Sequence, residues 1–98
     1  MIQHVVLLRW NKLADADAIA AVSAAFAALP AQIPQIKSYH FGPDKGIYPN
    51  NADYALIATF DNAASLRAYV SHPAHLALLR DVSGPIVESF SSAQFTLT

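Results

Sequence analysis

IQHVVLLRW, at residues 2–10, is the stretch that decides the fold. In an extended strand, successive side chains point to opposite faces of the sheet. One face of this stretch then carries Ile2, His4, Val6, Leu8 and Trp10, and the other carries Val5 and Leu7. A strand that is apolar on both faces needs a covering on both sides, and one layer of helices covers only one.

A helix is predicted after this strand. Asp15 and Asp17 open an alanine-rich run, and Pro30 and Pro34 close it after about four turns. Apolar side chains recur at helical spacing along the run, at Ile19, Val22, Phe26 and Leu29.

Two more strands are predicted in the middle of the chain. Residues 36–41 are a short β-compatible run, and residues 54–60, YALIATF, form a strand that is again apolar on both faces. Between them, GPDKGIYPNNAD is dense in turn formers.

Helical segments lead into a last strand. Asp61 is predicted to cap a helix over about 62–70, because its carboxylate can accept from free first-turn amides. Pro73 suits the first position of another helical piece, over about 73–82, which Gly84 and Pro85 end. A strand over roughly 88–97 completes the chain.

The element order is β-α-β-β-α-β, which predicts an α+β fold. We expect one domain over residues 1–98, a ferredoxin-like sandwich with an antiparallel sheet and helices on one side. The bare face of the sheet then requires a second copy of the chain. The expected assembly is a homodimer in which two sheets form a barrel-like core, a dimeric α/β barrel.

Composition agrees with a shared interior and excludes several partners. Hydrophobic residues make up 54% of the 98 residues and charged residues 13%, whereas ordinary domains have roughly 45–50% and about 25%. The net charge of −1 without a basic stripe argues against nucleic acid. The absence of cysteine excludes disulfides and thiol nucleophiles. The first strand is too short to cross a bilayer and has no leader features, so we expect a cytoplasmic chain with no membrane partner.

YVSHPAH, at residues 69–75, carries the chemistry that the sequence suggests. If Pro73 starts a helix, His75 lies in its first turn, where the dipole disfavours the imidazolium and lowers the pKa. The helix break at residues 71–73 could turn the Tyr69 hydroxyl toward the same cavity as His75. His75 could then remove a proton α to a carbonyl while Tyr69 holds the developing enolate oxygen, without any cofactor.

Each histidine also has a purely structural interpretation. His75 could fill space and bond a backbone carbonyl, and His72 is expected only to begin a helix. The i, i+3 spacing of these two could suit metal ligands, but no third ligand is near, so we predict no metal. His40 is expected to face solvent or the dimer seam, with no assigned role.

His4 interrupts an apolar strand and must find a partner if it is buried. It either fixes the register of the strand or lines the cavity of Tyr69 and His75 and orients a substrate carbonyl. Apolar side chains are candidates to contact an apolar or aromatic small molecule, or are plain core: Tyr54, Phe26 and Leu56, with Phe60 and Trp10.

The segments IQHVVLLRW, YHFG, YALIATFDN and AYVSHPAHLALL resemble the stress-responsive dimeric α/β-barrel family, known as Dabb, over almost the whole chain. The resemblance implies the same fold and dimer. A plant member, olivetolic acid cyclase, closes a linear polyketide with a tyrosine and the second histidine of its HPAH segment. These correspond to Tyr69 and His75, and the family's first-strand histidine corresponds to His4. The cyclase has a pocket histidine where this chain has Tyr54, so the pocket differs.

Three functions follow as hypotheses. The first is a small cofactor-independent cyclase or lyase acting on a β-keto or polyketide-like substrate, with His75 as base, Tyr69 as electrostatic partner and His4 beside them. The second is a non-catalytic stress-responsive dimer that binds an apolar small molecule. The third is a cofactor-free monooxygenase, an activity known in other dimeric α/β-barrel families.

Overall fold

A computed structural model describes all residues, 1–98, and confirms the predicted α+β, ferredoxin-like order. The elements are β1 (Ile2–Trp10), α1 (Ala16–Gln32), β2 (Ser38–Pro43), β3 (Tyr54–Phe60), α2 (Ala63–Ser71), α3 (Pro73–Leu78) and β4 (Val87–Thr96). A π-helical turn, Leu79–Ser83, and a 3₁₀ turn, Gly84–Ile86, connect α3 to β4. None of these helices has the length and continuous apolar character needed to cross a lipid bilayer.

The four strands form one antiparallel sheet in the order β2-β3-β1-β4. The central strand β1 places His4 opposite Ala58 of β3 on one side and opposite Gln94 of β4 on the other. Directly opposed residues share a face, so His4, Ala58 and Gln94 all point toward the helices.

The core lies between the helices and the face of β3 and β1 that carries Tyr54, Leu56 and Leu8. Burial alternates along β3 from Tyr54 to Ala58, as expected for a strand with one covered face. The buried apolar residues form one cluster, made of Leu8, Val22, Phe26, Leu29, Ile33, Tyr54, Leu56, Ala58, Phe60, Tyr69, Leu78 and Ile86. No residue of β4 is buried, because the helices do not extend over this edge strand.

The other face of the sheet, which we call the open face, has no helix over it. Its apolar residues are Val5 and Leu7 of β1, Ala55 and Ile57 of β3, and Ala93 and Phe95 of β4. Leu7 remains 41% exposed and Phe95 53% exposed. The sequence prediction of strands that are apolar on both faces therefore corresponds to an uncovered apolar surface.

The helix α1 begins where the acidic residues predicted it. The Asp15 side chain accepts a hydrogen bond from the Ala18 amide at 2.8 Å. Val22, Phe26 and Leu29 form the buried stripe. The helix runs past Pro30 to Gln32, so Pro30 lies inside its last turn rather than at its end.

The predicted cap of α2 was wrong by one residue. Asn62, not Asp61, is the N-cap, and its side-chain oxygen accepts from the Ser65 amide at 2.9 Å. Asp61 instead lies 3.5 Å from the Lys37 ammonium. Asparagine and aspartate cap helices about equally well, so the sequence alone could not choose between adjacent positions.

A single extended residue, His72, separates α2 from α3. It has φ −63° and ψ 137°, and its Nδ1 accepts from the Ala74 amide at 3.0 Å. Pro73 occupies the first helical position, as predicted.

The helix after Pro73 is shorter than predicted, because α3 ends at Leu78 and the π-helical turn continues to Ser83. The turn closes with the Gly84 amide bonded to the Leu79 carbonyl. A Cβ at Gly84 would collide with that carbonyl oxygen, so glycine is required there.

Candidate functional site

The structure brings His4, Tyr69 and His75 together between β1 and the α2–α3 break; we call this group the His–Tyr cluster. The Tyr69 ring lies 4.4 Å from the His75 ring and 6.2 Å from the His4 ring, measured between centroids. The break at His72 allows this, because it turns α3 back so that His75 packs against the last turns of α2. The three side chains that the sequence singled out are therefore neighbours.

The His75 ring bridges the break. Its Nδ1 lies 2.9 Å from the carbonyl oxygen of Val70, which can only accept, so Nδ1 carries the proton. The Nε2 atom is then left with a free lone pair. Burial lowers the pKa of His75 below its ordinary value of 6.5, which the Val70 bond opposes and the nearby His72 favours. The sequence predicted this direction from the helix dipole, but burial is the main cause.

His4 has the opposite tautomer. The Gln94 amide nitrogen donates to His4 Nδ1 at 2.9 Å, which leaves the ring proton on Nε2. Burial, and secondarily the neighbouring His75, lower the pKa of His4, so the ring is neutral near pH 7. The cluster therefore combines an imidazole that can accept a proton with one that can donate a hydrogen bond.

Tyr69 forms a short hydrogen bond with a residue that the sequence analysis did not select. Its hydroxyl lies 2.6 Å from the hydroxyl of Tyr39 on β2. Burial raises the pKa of Tyr69 and of Tyr39, so both phenols are protonated near pH 7. Tyr69 can thus serve as a neutral hydrogen-bond donor.

The predicted substrate-contacting residues lie in a separate part of the core. Tyr54 stands opposite Leu8, at the other end of β3 from Ala58, which stands opposite His4. Its hydroxyl bonds to Ser23 at 2.8 Å, and its ring packs 5.9 Å from that of Phe26. Leu56 is buried between these ends. Tyr39, whose ring lies 6.2 Å from Phe26, connects the two regions.

The remaining histidines do not join the His–Tyr cluster. The Nδ1 atom of His72 is engaged by the Ala74 amide, as expected for a helix start. His40 is exposed on β2 and faces away from the helices. No group of three or more His, Asp or Glu side chains could hold a metal ion.

The cluster is closed in this structure. Tyr69 is 2% exposed, His4 8% and His75 9%. Two cavities, of about 190 and 310 Å³, lie instead along β3 and are lined by residues that include Ala55 and Ile57 of the open face. Neither cavity is lined by a member of the cluster.

The sequence profile of the stress responsive A/B barrel domain, Dabb, matches residues 2–97. The chain belongs to the Dabb family. No curated protein matches this Dabb chain in sequence.

Solved structures share the fold of this Dabb domain. A dimeric ferredoxin-like protein of unknown function from Thermobifida fusca is 38% identical, with a TM-score of 0.90 over 98% of this chain and 90% of that one. A dimeric protein of unknown function from Bacteroides fragilis is 24% identical, with a TM-score of 0.84 over 98% and 95%. The hydroxynitrile lyase from Passiflora edulis is 19% identical, with a TM-score of 0.85 over 99% and 93%.

The sequence did not point to Tyr39 and Gln94, which bond to members of the His–Tyr cluster. Gln94 contacts His4 across 90 positions of sequence, and only the register of β1 against β4 reveals this pairing. Tyr39 alternates with Phe41 in β2, which places both on one face. The pattern does not say which face is covered by the helices.

Proposed function

We propose that this Dabb domain is a small cofactor-independent cyclase or lyase that acts on a β-keto or polyketide-like substrate. The observation that carries the proposal is that His75 and His4 have opposite tautomers. The Val70 carbonyl keeps the His75 proton on Nδ1, which leaves the Nε2 lone pair free. Gln94 donates to Nδ1 of His4, which leaves the His4 proton on Nε2. Tyr69 adds a protonated phenol beside both rings.

In the proposed step, His75 Nε2 removes a proton from a carbon beside the substrate carbonyl. The C–H electron pair moves into the carbonyl to give an enolate, whose oxygen accepts hydrogen bonds from Tyr69 and His4. The enolate carbon then attacks a second carbonyl of the same molecule and closes a ring, and the new alkoxide takes the proton back from protonated His75, which restores the base. The lowered pKa of His75 keeps this base unprotonated at neutral pH.

Similarity supports the same assignment. The segment YVSHPAH resembles that of olivetolic acid cyclase, in which a tyrosine and the second histidine act in an aldol closure. The hydroxynitrile lyase from Passiflora edulis has the same fold. Tyr54 stands where the cyclase has a pocket histidine and packs in a separate part of the core, so we expect a different substrate.

We further propose that the functional unit is a homodimer that pairs the open faces of two sheets. The exposed Leu7, Ile57 and Phe95 support this, because a monomer would leave their apolar surface in water. The relatives from Thermobifida fusca and Bacteroides fragilis are dimeric.

Proton abstraction can be tested without knowing the natural substrate. With ethyl acetoacetate in D₂O, NMR measures the exchange of the protons between the two carbonyls, after subtraction of the uncatalysed rate. We expect His75→Ala to lower the enzymatic rate by roughly 10²–10⁴-fold. Tyr69→Phe should lower it by roughly 10²-fold.

His72→Ala is the matched control, because it removes the adjacent imidazole and a helix cap but no group of the His–Tyr cluster. It should retain the exchange rate. If His72→Ala and His75→Ala lose the same stability and neither loses exchange, the proposal of an enzyme is refuted.

A second candidate is a non-catalytic dimer that binds an apolar small molecule and in which the buried His–Tyr cluster is structural. The 2% exposure of Tyr69 is compatible with that structural role. This candidate predicts that apolar ligands raise the melting temperature equally in wild type and in His75→Ala.

A further inference from the structure

We propose that Tyr39 is a positioning residue for Tyr69: it donates its hydroxyl proton to Tyr69, so that the Tyr69 proton remains free for a substrate oxygen. The assignment of a substrate oxygen rests on the proposed function. The direction of the hydrogen bond does not, because it is a property of the folded chain alone.

The Tyr39–Tyr69 pair has two protons and a single contact between its oxygens, 2.6 Å long. One proton must lie in that contact, and the other is left on the hydroxyl that accepts. No other side chain or backbone group bonds to either hydroxyl in this structure. The surroundings of each oxygen therefore decide which proton is left over.

Tyr39 has apolar surroundings. Its ring lies 6.2 Å from that of Phe26 and 5.9 Å from that of Phe41, and Ala58 stands opposite it in β3. Tyr39 is partly buried, and a leftover proton on it would have no side-chain or backbone acceptor in the folded chain. Donation to Tyr69 gives that proton an acceptor.

Tyr69 has polar neighbours. The rings of His75 and His4 lie 4.4 and 6.2 Å from its ring, and that of Phe60 lies 5.0 Å away. A proton left on Tyr69 therefore belongs to the phenol whose ring adjoins both imidazoles. The pKa directions agree: burial raises the pKa of both tyrosines, but their shared bond lowers that of Tyr69 and raises that of Tyr39.

Donation from Tyr39 also has a chemical effect on Tyr69. A hydroxyl that accepts a hydrogen bond becomes a stronger donor through its own proton, because hydrogen bonds in a chain polarise one another. The strand β2 holds the Tyr39 ring in place by pairing with β3. Tyr39 thus fixes both the direction and the strength of the Tyr69 donor without contacting the substrate.

Proton NMR on the folded wild-type protein tests the direction of the bond. The hydroxyl proton in a short buried contact should exchange slowly and give a low-field signal. We expect its strongest NOE to the ring protons beside the hydroxyl of Tyr39, and loss of the signal in Tyr39→Phe. A strongest NOE to the ring of Tyr69 would overturn the proposal, whether or not the protein is an enzyme.

Kinetics tests the positioning role. With ethyl acetoacetate as the probe, Tyr39→Phe should lower kcat by roughly 10–100-fold, the scale for a misplaced catalytic group, with little change in KM. The control is Ser23→Ala, which removes the hydroxyl partner of another core tyrosine away from the histidines. Ser23→Ala should leave kcat unchanged.

The kinetic outcomes separate the two proposals. If His75→Ala and Tyr69→Phe retain wild-type exchange, the proposed function fails, and the NOE pattern still decides the direction of the bond. If those variants lose exchange but Tyr39→Phe behaves like Ser23→Ala, the positioning role of Tyr39 is refuted.

Discussion

At the scale of single residues, Gln94 determines which nitrogen of His4 carries the proton. Its amide donates to Nδ1, so the ring proton lies on Nε2. A group that can only accept would reverse this arrangement, since Nδ1 would then have to carry the proton.

Gln94→Glu should therefore convert His4 from a donor into an acceptor and raise the pKa of its ring, because a carboxylate stabilises the imidazolium. We expect ¹⁵N NMR to show the changed tautomer, and the exchange rate with ethyl acetoacetate to fall by roughly 10²-fold. Ser92→Glu is the matched control: Ser92 lies two residues away on the same face of β4, opposite Val6. If Gln94→Glu and Ser92→Glu lose the same exchange rate, the proposed control of the His4 tautomer by Gln94 is contradicted.

Burial of His4 and His75 also makes stability depend on pH. Burial lowers the pKa of both rings below 6.5, whereas the unfolded chain has histidines near that value. Between the lowered values and 6.5 the unfolded chain binds more protons, so the free energy of unfolding decreases as the pH is lowered through this window. Urea titrations from pH 7.5 downward should show the decrease, and His75→Gln should make it shallower. If His75→Gln leaves the slope of unfolding free energy against pH unchanged, His75 does not contribute to the pH dependence.

Residue types and the YVSHPAH segment were enough to select His4, Tyr69 and His75, which the structure brings together. Their chemical roles remain predictions. Gln94 and Tyr39 could not be selected, because their importance depends on strand register and on which face of β2 the helices cover. Neither property is encoded in a local pattern.

At the scale of elements, the start of α2 gives a direct test of the corrected cap. Asn62→Ala should lower the free energy of unfolding by about 1 kcal/mol, the typical value for losing a capping side chain. Asp61→Ala should change it by less than about 0.5 kcal/mol, as for an exposed ion pair. Chemical denaturation of both variants distinguishes them, and a larger loss in Asp61→Ala would restore the cap predicted from the sequence.

The strands existed where predicted, but β2, predicted over 36–41, lies at Ser38–Pro43, and the ends of helices were also less predictable. The third strand has the predicted bounds, 54–60, because its apolar run is flanked by turn-forming residues. The break before α3 was predictable from Pro73, which fixes its own φ and cannot donate. The end of α3 was not, because the π-helical turn depends on the close approach of Gly84 to the Leu79 carbonyl rather than on helical periodicity.

At the scale of the whole molecule, the open face should hold two copies together. Leu7→Glu would place a charge in the centre of the proposed interface, where burial of an unpaired carboxylate is costly. We expect light scattering to show a dimer for the wild type and a monomer for Leu7→Glu. Leu13→Glu is the control, since Leu13 is 66% exposed in the loop after β1. A dimer that tolerates Leu7→Glu would place the contact elsewhere.

Closure of the His–Tyr cluster couples the affinity for a ligand to the rigidity with which the helices pack on the sheet. Tyr69 is 2% exposed, so a ligand that contacted it would bind only the fraction of molecules in which the cluster is open. The measured dissociation constant is then the intrinsic constant divided by that fraction. Substitutions that tighten the helices against the sheet would raise thermal stability and weaken apparent binding together, through the population of open molecules and without altering a single contact to the ligand.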